Sequence, residues 1–188
     1  PSLPKRLEVP RLWQILFWAA MMHDMGKAAA GFQLRLRGGP SWPHRHEVLS
    51  LAFVDWIAAG LTEDEQAWVA AGIVAHHRDA SEIQRLYFEP DDPAADQLIE
   101  CVAETHPDTV AGLWRWLTEC SPAWIEALGL SGMGVTPIEF PEQEHAVAAV
   151  CTHGASRIRH WLTVYGDFVD GLRRCPNRAV ITAALALR

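Results

Sequence analysis

At 188 residues and 20.9 kDa the chain has the length of one domain, and a composition 49% apolar and 21% charged excludes a mainly disordered polymer. Its longest nearly apolar run, Leu12 to Met22, has 11 residues with Gln14 among them, which is too short to cross a bilayer. The net charge of −7 discourages strong free-standing affinity for nucleic acid, although it is unevenly spread: +3 over residues 1–61, −14 over 62–145 and +4 over 146–188. Solvated surface charge is the simpler reading, but basic ends brought together by the fold would form a phosphate-facing side. No basic-then-apolar leader opens the chain, so a cytoplasmic, membrane-free protein is expected. Pro1 in place of Met suggests a processed chain or an excised piece. Cys101, Cys120, Cys151 and Cys175 include no C-x-x-C pair, so reduced, mostly packed thiols are expected.

The periodicity is helical almost throughout, with no convincing alternating strands. After Pro10, residues 11–27 are apolar nearly all round, as in a helix at the centre of a core. Gly31 and Gly38-Gly39-Pro40 mark a loop. A second helix follows Pro43 and buries Leu49, Phe53 and Ile57 along one face. Thr62 with Glu65 three residues later reads as a capping box opening a third apolar helix to about His77. A loop at 89–93 precedes a helix over 94–105, and Pro107 and Ser121-Pro122 each start a shorter one. Gly129 to Pro141 is loop-like, a long amphipathic helix spans 142–171, and Asn177 caps a final apolar segment. The fold class expected is all-α. Trp13, Trp18, Trp56 and Trp68 fall on core helices, where packing explains them better than base stacking.

Five of the nine histidines lie between residues 23 and 77, as His23-Asp24, His44-Arg45-His46 and His76-His77. A helix apolar on every side that ends in an imidazole and a carboxylate must satisfy both groups. The third helix repeats the pattern, with Ile73, Val74 and Ala75 leading into His76-His77, and His46 shares the inward face of Leu49 and Phe53. Imidazoles with one carboxylate suit a divalent ion such as Mn, Fe, Co, Ni or Zn, with Mg as a further candidate. A carboxylate can bridge two metals and an imidazole cannot, so Asp24 is the natural bridge and the histidines are terminal ligands. Lys27, one of two lysines against 14 arginines, lies one turn beyond His23. A compact ammonium there can hold a phosphate oxygen. His44 reads as a loop histidine, His106, His145, His153 and His160 as surface residues, and Asp79 and Glu82 as a solvated helix end.

These residues resemble the HD superfamily of metal-dependent phosphohydrolases, and more closely the HD nuclease domain of the CRISPR-associated helicase-nuclease of type I interference systems. The resemblance is carried by H-D-x-G-K at 23–27 followed by Phe32-Gln33, by Arg45-His46-Glu47 running into Leu49-Ser50, and by Ala75-His76-His77. It covers about residues 12–78, with weaker similarity near 172–188. It implies a compact HD-type helical bundle that cleaves single-stranded DNA, fed by a superfamily 2 helicase and working with a CRISPR RNA-guided effector complex. Up to two divalent metals are implied, held by His23, Asp24, His46, His76 and His77, with Asp24 and Lys27 as the catalytic residues. The family also uses a His well upstream of the H-D pair and a late Asp in an A-D pair. Residues 1–22 contain no His, and Asp167 and Asp170 are the last aspartates. Both missing ligands are expected in flanking sequence, leaving at most one tightly held metal, on the His46 side, and weak or absent activity in this piece. The expected organisation is a single HD nuclease domain over 1–188, cut from a larger helicase-nuclease. Two other readings use the same residues: a phosphohydrolase of small or signalling nucleotides, and a catalytically silent HD-like docking module.

Overall fold

A computed structural model describes residues 9–75, Ile83, Tyr87 and 96–173. Within these the chain is all-α, with eight α-helices and no strand. They are α1 (Leu12–Met22), α2 (Ala30–Leu36), α3 (His46–Ser50), α4 (Glu63–Val74), α5 (Gln97–Ala103), α6 (Pro107–Ala127), α7 (Gln143–Cys151) and α8 (Gly154–Arg173). None of the described helices is long and apolar enough to cross a membrane.

Helix α1 is the central post. Leu12, Ile15, Trp18 and Met22 are at most 2% exposed, and the helix packs along α4. Its one interior polar side chain, Gln14, is also buried. Gln14 is satisfied by the loop after α6: its Nε2 donates to the Thr136 carbonyl at 3.0 Å, and its Oε1 accepts from the Thr136 N–H at 2.8 Å. This pairing meets the hydrogen-bonding demand of a buried amide. Trp18 packs edge-on against Phe17 and Phe140, with centroids 4.9 and 5.8 Å away.

Helix α3 tightens after one turn into a 3-10 segment, Leu51–Trp56, in which Leu51 to Val54 are all fully buried. Its polar edge anchors the later helices. Trp56 Nε1 donates to the Ala146 carbonyl of α7 at 3.0 Å, while Asp55 receives Trp161 Nε1 at 3.2 Å and Arg157 Nε at 2.6 Å from α8. The capping box is present as expected: Thr62 N–H donates to Glu65 Oε2 at 2.9 Å and Glu65 N–H to Thr62 Oγ1 at 3.3 Å.

Several boundaries differ from the sequence reading, each for a packing reason. Gly31 lies inside α2 rather than in a loop; a Cβ there would meet Glu104 Oε2 at 2.3 Å and Trp42 Cδ1 at 2.4 Å, so close approach is what requires glycine. Residues 107–127 form one helix that runs through Pro122. Val110, Leu117, Ser121 and Ile125 make one buried stripe across the proline, and that burial outweighs the lost backbone bond. The helix expected over 142–171 is instead divided at Thr152-His153 into α7 and α8. A Cβ on Gly154 would stand 3.0 Å from both methyls of Val102, so α8 starts in close contact with α5. His76, His77, Cys175 and the Asn177 segment lie outside the described residues. The four tryptophans assigned to the core are buried or partly buried, and Cys101, Cys120 and Cys151 are free thiols.

Burial, with the Glu104 charge nearby, pushes the Cys101 thiol up to about 12. A thiol held in its neutral form is a poor nucleophile. Iodoacetamide at about pH 8 should therefore leave Cys101 unmodified in the folded chain and label it only in denaturant, as read by peptide mass spectrometry. Rapid labelling of the native protein would contradict the packing of α5.

Candidate metal centre

The His23-Asp24 pair sits just past the end of α1 rather than within a helix running to residue 27. His23 N–H still bonds to the Ala19 carbonyl at 3.0 Å, but the chain then winds more tightly, with Lys27 N–H on the Asp24 carbonyl at 3.0 Å. The break has a specific cause. Gly26 N–H, which a continuing helix would direct to Met22, instead donates to Ser50 Oγ of α3 at 2.8 Å. The single Ser50 hydroxyl proton is shared between the carbonyls of His23 at 2.8 Å and His46 at 2.9 Å. Ser50 is fully buried. A Cβ on Gly26 would lie 2.0 Å from the His46 carbonyl oxygen, so only glycine permits the two segments to meet.

This junction brings three of the expected donors together. Asp24 Oδ2 is 3.3 Å from His23 Nε2, and Asp24 Oδ1 is 3.3 Å from His46 Nε2. Each imidazole is oriented from its other nitrogen. His23 Nδ1 donates to the Ala20 carbonyl at 2.7 Å, and His46 Nδ1 is 3.4 Å from Glu47 Oε2. Lys27 Nζ is 2.8 Å from Asp24 Oδ2. Burial would raise the Asp24 carboxyl, but the Lys27 hydrogen bond and the neighbouring His23, Lys27 and His46 charges outweigh it and hold the group below the usual carboxylate range. Asp24 is thus ionised at neutral pH, and its contribution to stability is lost only as pH falls through that lowered value. The pair is less enclosed than the sequence reading expects, with side-chain exposures of 33% for His23 and 40% for Asp24, whereas His46 is 12% exposed.

The fit to a cation can be tested at Asp24 Oδ1. That oxygen is shielded from water and receives no hydrogen bond. An acceptor in that condition is costly, and positive charge beside it offsets the cost. Two imidazoles flanking the same carboxylate complete a donor set suited to a transition-type divalent ion. The donors fit, but they do not form a finished cage. Among the described residues no group of three or more His, Cys, Asp or Glu is spaced to enclose an ion, and His76 and His77 fall outside those residues.

Two open depressions flank the site. One, of about 670 Å3, is lined by Asp24, Lys27, Met21, Leu113, Trp116 and neighbours; the other, of about 330 Å3, is lined by His46, His44, Arg35 and Arg45 among others. His44 lies in the loop before α3, as expected, but its side chain is only 6% exposed, 3.8 Å from Glu104 Oε1 and edge-on to Trp42. His106, His145, His153 and His160 are exposed, as are Asp167 and Asp170 on α8. Neither aspartate lines either depression.

Some supporting residues carry no sequence signal of their role. Glu104, one acid among 17 in its segment, accepts from Gly31 N–H and Trp42 Nε1, both at 2.8 Å, and so fixes the entrance to α2. Tyr87 Oη accepts from Arg45 N–H at 2.9 Å at the start of α3. Arg45 Nε donates to buried Glu47 Oε1 at 2.7 Å.

The family model described as "Cas3, HD domain" matches residues 3–154. A putative CRISPR-associated nuclease/helicase Cas3 of Myxococcus xanthus (strain DK1622) is 32% identical over 115 residues, a match covering 56% of this chain and 15% of that protein. The aligned stretch is therefore a small part of that curated relative. No solved structure matches the chain.

The Ser50 junction can be tested directly. Ser50→Ala leaves a buried N–H and a buried carbonyl without their partner and should lower stability by about 1–3 kcal/mol in urea unfolding. Gly26→Ala should cost more, because the opposing atom is a backbone carbonyl that cannot swing aside. Unchanged unfolding midpoints in both variants would contradict the junction.

Proposed function

This chain belongs to the Cas3 HD-domain family, and from that membership we propose that residues 1–188 form a single HD nuclease domain of a larger helicase-nuclease, hydrolysing phosphodiester bonds of single-stranded DNA in CRISPR interference. The observation that carries the reading is the ionised Asp24, gripped between the Nε2 atoms of His23 and His46 at the head of an open groove that also holds Lys27. Asp24, His23 and His46 would hold a divalent cation, with His76 and His77 as further donors. The chemistry such a cation supplies is Lewis acidity towards a water nucleophile and a phosphate oxygen.

The side chains themselves have separable tasks. Ala20 and Glu47 orient the two imidazoles so that both Nε2 atoms face the carboxylate. Lys27 holds Asp24 Oδ2 in place and lines the larger groove, where its positive charge offsets the charge gathered on a phosphate in the transition state. On the opposite side of His46, Arg35 offers positive charge to a passing backbone, while the Arg45 guanidinium is engaged by the buried Glu47 carboxylate. Open grooves on both sides suit a strand better than a small nucleotide, which is usually enclosed by its pocket. The same family membership supports a superfamily 2 helicase and a CRISPR RNA-guided effector complex as partners, and the nuclease/helicase name of the Myxococcus xanthus relative is in keeping with this.

In the intact parent protein with manganese, Asp24→Ala should reduce cleavage of a single-stranded oligonucleotide by more than about 100-fold, beyond the loss typical of residues that only orient a ligand. His44→Ala should keep most of the activity. Equal rates for Asp24→Ala and the unaltered protein would refute the mechanism, and hydrolysis of free nucleotides without strand cleavage would favour the small-nucleotide reading.

A further inference from the structure

The larger groove has a floor that the proposed metal chemistry does not use. Met21 and Met25 are buried beneath it, and Leu113 lines it beside them. Its outer lip is Trp116 of α6, 38% exposed. Thr109, Leu113 and Trp116 follow at helical spacing along one face of α6, and the same face continues to Trp124, which is 47% exposed. The two indoles meet edge to face, with centroids 6.1 Å apart and planes at 84°. The Trp124 contact therefore steadies the Trp116 ring while leaving part of it open to the groove. Two exposed indoles in contact, continuous with an apolar groove floor, make a contiguous apolar patch of the kind that marks a binding surface.

The charges decide what that something is. Asp24 and Glu104 line the groove, with Lys27 as the one lysine or arginine among its described lining residues, and α6 itself carries Asp108, Glu119 and Glu126 against Arg115. A phosphate backbone gains nothing along such a floor. The arginines stand on the other side of His46, beside the smaller and more polar depression. A flat, neutral, polarisable group suits the methionine and indole surfaces, with Thr109 and His106 at the rim to meet polar edges. The groove is also continuous with Asp24 and Lys27, so its occupant lies next to the reacting phosphate.

We propose that this groove is a nucleobase subsite, in which Trp116, steadied by Trp124, stacks a base of the strand adjoining the scissile phosphate. The proposal rests on the single-strand nuclease reading and deepens it. Backbone and base are divided between the two sides of the centre. Aromatic stacking accepts any base, so the subsite confers strand binding without sequence preference.

The test uses the full chain in EDTA, so that binding is read without cleavage. Fluorescence anisotropy compares a labelled oligothymidylate with an abasic strand of the same length. The unaltered chain should bind the thymidylate more tightly. Trp116→Ala should remove that preference, weakening thymidylate binding about 5- to 150-fold, and Trp116→Phe should restore most of it. An iododeoxyuridine strand should photocross-link to the 107–127 peptide at Trp116. Circular dichroism of each variant checks folding, which a half-exposed ring should not disturb. Equal binding of base-bearing and abasic strands, or a Trp116→Ala variant that binds like the unaltered chain while Asp24-dependent cleavage persists in the parent, overturns the subsite alone. Failure of the unaltered chain to bind either strand, with no Asp24-dependent cleavage in the parent, overturns the nuclease reading and the subsite together. Absence of the cross-link, with Trp116 shielded from oxidation only when the remainder of the parent is present, overturns the subsite in favour of a protein-covered face.

Discussion

One hydroxyl group holds the functional region together. Ser50 Oγ takes the Gly26 N–H and donates its own proton to the carbonyls of His23 and His46, so two backbone positions in the turn after α1 and one at the start of α3 are fixed by one buried atom. A buried donor or acceptor left open is costly, which makes the arrangement close to all-or-none. It ends α1 at Met22, turns the chain at Asp24 and sets the first residue of α3 against that turn. The donors converge because the backbone has been joined beneath them. The side chains then add orientation, but the position was already decided.

Around that joint the molecule separates its tasks by polarity. Asp24 remains charged although partly withdrawn from water, because Lys27 and the two imidazoles outweigh the cost of burial. Glu47, by contrast, is fully buried and is held by Arg45, whose backbone is in turn fixed by Tyr87. One carboxylate is thus presented to the solvent side and the other is locked behind it. Burial pushes the Tyr87 phenol up, so it adds no negative charge beside Glu47, and its oxygen accepts the Arg45 N–H. The acidic character of the middle of the chain is likewise put to structural use in part, through Glu104 at α2 and through Asp96, which caps α5 and pairs with Arg159.

Local chemistry made much of this legible in the sequence. The Thr62–Glu65 box, the all-round apolar character of α1 and the inward phase of His46 with Leu49 and Phe53 are short-range patterns, and the structure follows them. The same patterns direct His23, Asp24, His46, His76 and His77 to one cavity; His23 and His46 stand 3.3 Å from Asp24, and His76 and His77 lie outside the described residues. What could not be read locally depends on distant partners. Nothing near Gly26 announces that its N–H will leave the helix for Ser50, 24 residues away. Pro122 looks like a helix start until the stripe from Val110 to Ile125 is seen to be buried on both sides of it. Glu104 resembles its acidic neighbours until Gly31 and Trp42 are placed against it. Trp116 shares its residue type with the core tryptophans, and only the packing of α6 separates an open indole from a buried one.

The Gln14–Thr136 pairing has a different kind of consequence. A side-chain amide that gives one bond and takes one from the same loop residue recognises main chain, and it is indifferent to what that residue carries on its Cα. Thr136, whose side chain is exposed, can therefore change identity while the loop stays fastened to the central post, provided it is not replaced by proline, which has no N–H to offer. Its neighbours Val135 and Phe140, which pack into the core, do not share that freedom. The burden of preservation falls instead on Gln14. Glutamate there would keep the acceptor and lose the donor, and leucine would fill the space while abandoning both main-chain groups. Mutational tolerance is thus asymmetric across the contact, wide at the exposed position 136 and narrow at a single interior position of α1.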